Sequence, residues 1–143
     1  MSKLQWNDEN YINQIKKEAG YSSDSKNLTV MKKGNFLQRR LGLSALFLSM
    51  YNLSIEKNGL LLIKRSKYSP QLQPSKMVFI EKSQIIKINL NKKIGALELL
   101  LVMEDSPKIE FRLNDKNNKF IPWQELGISE LEKFIANCNS HLI

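Results

Sequence analysis

Apolar and polar positions alternate with two different periods along this chain. Near the start, Ile12, Ile15 and Ala19 recur at the spacing of one helical face. Asn7 or Asp8 can accept hydrogen bonds from the open N–H groups of a first turn, and Asp8 and Glu9 suit its positive end. Lys16 and Lys17 suit the last turns, and Gly20 supplies the stop. The pattern predicts an amphipathic helix over 8–19 whose single narrow stripe must pack on something, then a loop over 21–27.

From Leu28 the period shortens to that of strands. Leu28–Met31 is a short strand and 32–35 a turn, whereas 36–43 fits either helix or strand, with Gly42 favouring a non-helical form. Leu53 and Ile55 alternate with Asn52, Ser54 and Glu56, and Leu60–Arg65 returns after Lys57-Asn58-Gly59. This predicts a hairpin over 51–65 with Asn58-Gly59 at the heart of a type I′ turn. Pro70 and Pro74 mark 66–76 as a loop. Strands follow at 77–80 and 86–90, with turns at 81–83 and 91–93. Ala96–Met103 is nearly continuous in apolar residues, as for a segment buried on both faces or covered by a helix. Ile109, Phe111 and Leu113 form the last alternating run. Pro122 then suits a first helical turn, and Ser129-Glu130-Leu131-Glu132 matches a capping box. Gly127 reads as a break between a short turn over 122–126 and a main helix, whose Leu131, Phe134, Ile135 and Cys138 would face the sheet. The expected architecture is α+β: a bent antiparallel sheet closed by a C-terminal helix, with an extra helix in front.

The chain has 143 residues with 42% hydrophobic content, which fits one small domain with a real core. Its net charge of +8 is uneven: residues 1–76 hold 13 Lys and Arg against 5 Asp and Glu, and residues 77–143 hold 9 of each. Two basic clusters stand out, Lys32, Lys33, Arg39 and Arg40, and Lys64, Arg65, Lys67 and Lys76. Either suits phosphate groups or another anionic surface. Solubility alone is the simpler account of the charge. The apolar run 41–51 falls short of the about 20 residues that cross a bilayer as a helix. It reads as a buried strand or an interfacial segment, with Leu43, Leu46, Phe47 and Met50 as candidate contact residues. The opening residues lack the apolar core of a signal peptide, and a lone cysteine fits a reducing compartment, so a cytoplasmic location is expected, with peripheral membrane attachment as the alternative.

Chemistry is sparse. His141 lies at the end of the chain, Cys138 falls on an apolar helix face, and Glu104 and Asp105 precede a Ser-Pro turn. The glycines are scattered rather than gathered in a phosphate loop, and the ligand supply for a metal is missing. The expectation is no catalysis, no cofactor and no metal.

The stretch Ile80-Glu81-Lys82-Ser83-Gln84-Ile85-Ile86-Lys87-Ile88 and the hairpin Tyr51 to Ile63, with its Asn58-Gly59-Leu60 corner, resemble bacterial pleckstrin-homology-like (PH-like) domains. The resemblance spans about 27–140, leaving 1–26 as a helix and linker ahead of a domain over 27–143. It implies seven strands in two near-orthogonal antiparallel sheets, a sandwich or partly open barrel plugged by the last helix, and binding rather than catalysis. Two features depart from it, the leading helix and the apolar 36–50 segment. Basic residues that bind phosphoinositides in eukaryotic relatives have no residue-by-residue match. A protein partner, or a second copy, recognised through a sheet edge or the 41–51 segment is the leading expectation. Anionic membrane is the second, and nucleic acid a weaker third because few aromatics accompany the charges.

Overall fold

The computed structural model describes residues 6–32, 49–66, 69–104 and 106–141. The chain opens with helix α1 (Glu9–Glu18). Seven strands follow: β1 (Lys26–Lys32), β2 (Ser49–Glu56), β3 (Gly59–Arg65), β4 (Leu72–Glu81), β5 (Ile85–Lys93), β6 (Ala96–Met103) and β7 (Ile109–Leu113). Helix α2 (Gln124–His141) closes the chain. All pairings are antiparallel, and the sheet runs β4-β3-β2-β1-β7-β6-β5 without closing. This is the expected α+β architecture.

Period-two alternation sends the residues of β1–β3 to two different cores. Leu28, Val30, Leu53, Ile55, Leu60 and Leu62 face α2, where Leu131, Phe134 and Cys138 meet them. Leu61 and Ile63 point the other way and join Ile12 and Ile15 of α1, with Leu72, Ile121 and Trp123. The stripe on α1 therefore packs on the reverse of the sheet, and β3 is apolar from Leu60 to Ile63 because both of its faces are covered there. Asp8 is the N-cap of α1, accepting from the Asn10 N–H at 2.9 Å.

The seam between β1 and β7 is narrow, only Met31 opposite Arg112 and Lys32 opposite Phe111. Beyond it the buried Gln124 side chain takes the place of a strand. Its oxygen accepts from the Thr29 N–H at 2.9 Å, and its amide nitrogen donates to the carbonyls of Thr29 at 3.0 Å and Asn114 at 3.2 Å. Backbone groups that would otherwise be buried unpaired are thus satisfied.

Several expectations need correction. The hairpin pairs Glu56 with Gly59, so its turn residues are Lys57 and Asn58, and Gly59 already belongs to β3 without a positive φ. Glycine is needed there because a Cβ would overlap the Ile80 carbonyl of β4. The loop over 66–76 is shorter than expected, since β4 begins at Leu72. Pro74 is tolerated because β4 is an edge strand and the register slips between Ile63 and Lys64, letting 74–76 bulge out. Strand β5 runs through Lys93, and the turn falls at Ile94-Gly95, with Gly95 at φ +70°. Strand β6 buries Leu99 and Leu101 fully but leaves Leu100 and Val102 only half-buried.

Helix α2 is also one unbroken helix through Gly127, so Ser129 lies inside it and caps nothing. Its first turn is capped from outside instead: Asn117 Oδ1 accepts from the Glu125 N–H at 2.8 Å, and Glu125 Oε2 accepts from the Asn117 N–H at 3.0 Å. Gly127 is a contact point rather than a break. A Cβ on it would overlap the Asn27 carbonyl of β1, so the missing side chain sets how closely α2 lies on the sheet.

Candidate functional site

Antiparallel pairing decides where the basic residues end up. Strand β1 ends at Lys32, opposite Ser49 where β2 begins, and β3 ends at Arg65, opposite Leu72 where β4 begins. Because Tyr51 pairs with Lys64, both of these strand ends lie at one end of the sheet. Lys32, Lys64, Arg65 and Lys76 therefore share one rim. Lys64, directly opposite Tyr51, and Lys32, opposite Ser49, lie on the α2 side of the sheet, where the Tyr51 ring meets Phe111 edge-on at 6.2 Å. Arg65 points to the α1 side, its guanidinium 3.7 Å from the centre of the Trp6 ring. That stacking leaves it half-buried, with Nε unpaired, and burial lowers its pKa below the ordinary arginine value. Lys32 and Lys76 are exposed. Met50 is half-buried opposite Met31. Lys33, Arg39, Arg40, Lys67, Leu43, Leu46 and Phe47, and the side chain of His141, lie outside the described residues.

At one lateral border of the sheet, β5 has no strand beyond it among the described residues. Between it and α2 lies an open groove of about 380 Å³, floored by Leu90, Leu97 and Ile135 and flanked by Lys92 and Glu132. The sequence reading named a sheet edge in general but none of these residues.

A third feature was missed altogether. The polar residues of β2 that alternate with Leu53 and Ile55 lie under α1, and Lys16 reaches down to them with no exposed surface of its own. Four oxygens surround its three N–H groups: the Ser25 carbonyl at 3.0 Å, Ser25 Oγ at 2.7 Å, Asn27 Oδ1 at 3.1 Å and Ser54 Oγ at 2.9 Å. Glu56 accepts from the hydroxyls of Ser25 and Ser54 and supplies a counter-charge. Asn27 donates to Glu9 and Asn13 of α1, and Asn52 donates to Asn27. Burial lowers the Lys16 pKa to about 8, against the opposing pull of Glu56, Glu9 and Asp24. A signal was present in the sequence. Position 16 continues the 12, 15, 19 stripe, so the lysine falls on the buried face, opposite a strand whose alternate residues are all polar.

Serine hydroxyls beside a lysine of lowered pKa are ingredients of nucleophilic chemistry. Here Lys16 and Ser54 are 0% exposed, so no substrate atom touches them in this packing. The cluster tethers α1 to the sheet. Cys138 is buried, and burial raises its thiol pKa against the pull of Lys82. Among the described residues no three His, Cys, Asp or Glu gather as metal ligands, and no helix is long and apolar enough to cross a membrane.

Neither a family model nor a curated protein matches the chain.

Proposed function

We propose that this chain is a non-catalytic binding module of PH-like type that recognises a protein partner by accepting an extended segment along β5. The observation that carries the reading is the open β5 edge beside the groove floored by Leu90, Leu97 and Ile135. An edge strand offers a row of backbone donors and acceptors to a further strand, and a neighbouring groove takes alternate side chains of the incoming segment. The strand order, from β4 round to β5 with a closing helix, agrees with the PH-like resemblance of 51–63 and 80–88. A displayed library of extended peptides, selected against the chain and followed by amide exchange, tests this. Bound peptides should slow exchange along β5; enriched peptides that leave β5 unprotected would exclude strand addition.

A second reading, attachment to anionic membrane, is supported by the meeting of Lys32, Lys64, Arg65 and Lys76 at the rim where β1 and β3 end. It predicts salt-sensitive pelleting with phosphatidylserine vesicles that is lost in Lys32→Glu and Lys76→Glu variants. Recovery in the supernatant at low salt argues against it.

A further inference from the structure

The two lateral edges of the sheet are not equivalent. Strand β4 is spoiled as a template by Pro74 and by the slip that pushes out 74–76. Strand β5 has its own irregularity at the start, between Ile85 and Lys87, and then runs in unbroken register with β6 from Lys87 to Lys93. That regular stretch carries Lys87, Lys92 and Lys93, all exposed, and among the described residues only Lys93 is drawn toward a carboxylate, that of Glu98 at 4.0 Å. Lysines on an edge strand disfavour pairing between copies, because a second β5 would lay like charges side by side. They favour a strand of the opposite charge.

We infer that the β5 groove selects an acidic extended segment of a partner protein, with an apolar residue between its acids. This rests on the strand-addition reading above. Leu90 and Lys92 are two residues apart and share the α2 side of β5, whereas Lys87 points to the other side. An incoming strand of period two lays an apolar side chain over Leu90 and Ile135 and sets a carboxylate beside Lys92. A residue of opposite phase sets a second carboxylate beside Lys87. Glu132, on the α2 wall, keeps acids off the floor and leaves that position to the apolar residue.

Three labelled peptides, threonine-rich and built around one valine, carry glutamate, threonine or lysine two residues to one side of that valine and three to the other, matching the spacing of Lys92 and Lys87 about Leu90; each is titrated against the full chain by fluorescence anisotropy, with amide exchange locating it. The glutamate peptide should bind about tenfold more tightly than the lysine peptide at low salt, protect β5, and lose its advantage as salt rises. The Lys87→Gln, Lys92→Gln double variant, altered only at exposed positions and checked by its melting curve, should bring all three affinities within about twofold. Equal affinity of the threonine and glutamate peptides, both protecting β5, overturns the acidic preference and leaves strand addition standing. Absence of β5 protection by any peptide overturns both. Charge-dependent binding that protects the ends of β1 and β3 near Lys32 and Lys64 instead also overturns the inference, and assigns anions to the rim.

Discussion

Lys16 is the residue whose chemistry departs furthest from its surface relatives. Folded, its pKa falls from 10.5 to about 8 because burial disfavours the charged ammonium more than Glu56, Glu9 and Asp24 favour it. Between those two values the unfolded chain binds more protons than the folded one at this position, so the lysine contributes stability that grows as pH rises through the window. Below pH 8 both states hold the proton and its contribution is flat. In Lys16→Met the slope disappears. The difference in urea midpoint between the natural chain and the variant should therefore widen from pH 8 to pH 10. A difference that stays constant or narrows would show that the ammonium is not desolvated. At pH 7 the variant should still lose about 3 kcal/mol, because Ser54 and Asn27 lose their lysine donor and Glu56 its counter-charge while all three stay buried.

At the scale of elements, α2 tests what local pattern can and cannot reveal. Leu131 and Phe134 fill the core facing the sheet, so Leu131→Ala or Phe134→Ala should cost about 2–5 kcal/mol in chemical denaturation. Ser129 is exposed in mid-helix, so Ser129→Ala should change stability by less than about 0.5 kcal/mol. A loss of 1 kcal/mol or more would mean that the serine does cap a helix start. Gly127→Ala should destabilise, although alanine is the better helix former, because its Cβ meets the β1 backbone.

The apolar face of this helix was legible because periodicity reports burial directly. Its start was not legible, since the capping groups come from Asn117 in the preceding segment rather than from the Ser129–Glu132 motif. The same distinction runs through the sheet. Strand existence followed from alternation, while the ends of β4 and β5 and the role of Gly59 depended on neighbouring strands that sequence spacing does not encode. Of the candidate site, the charges were visible. Their gathering at one rim and the groove beside β5 arise from register and are properties of the folded sheet alone.

For the whole molecule, the consequence of layering is that one strand serves two cores. Adjacent residues Leu60 and Leu61 are both fully buried, yet Leu60 packs toward α2 and Leu61 toward α1. An α1 resting only loosely on the sheet would leave Leu61 half-solvated in the native ensemble, and its truncation would be cheap. The lysine tether argues otherwise, since it fixes α1 through Ser25, Asn27 and Ser54 on the same sheet face. Leu60→Ala and Leu61→Ala should therefore each cost about 2–5 kcal/mol. Because the two side chains belong to separate clusters, the double variant should lose nearly the sum of the two. Fluorescence of Trp6 and Trp123, which lie on the α1 side, and far-ultraviolet dichroism of the whole chain should report one shared transition. Earlier loss of the tryptophan signal would mean that α1 leaves the sheet before the strands separate. The three layers would then unfold as two units, with the β5 groove persisting after the Lys16 network has opened.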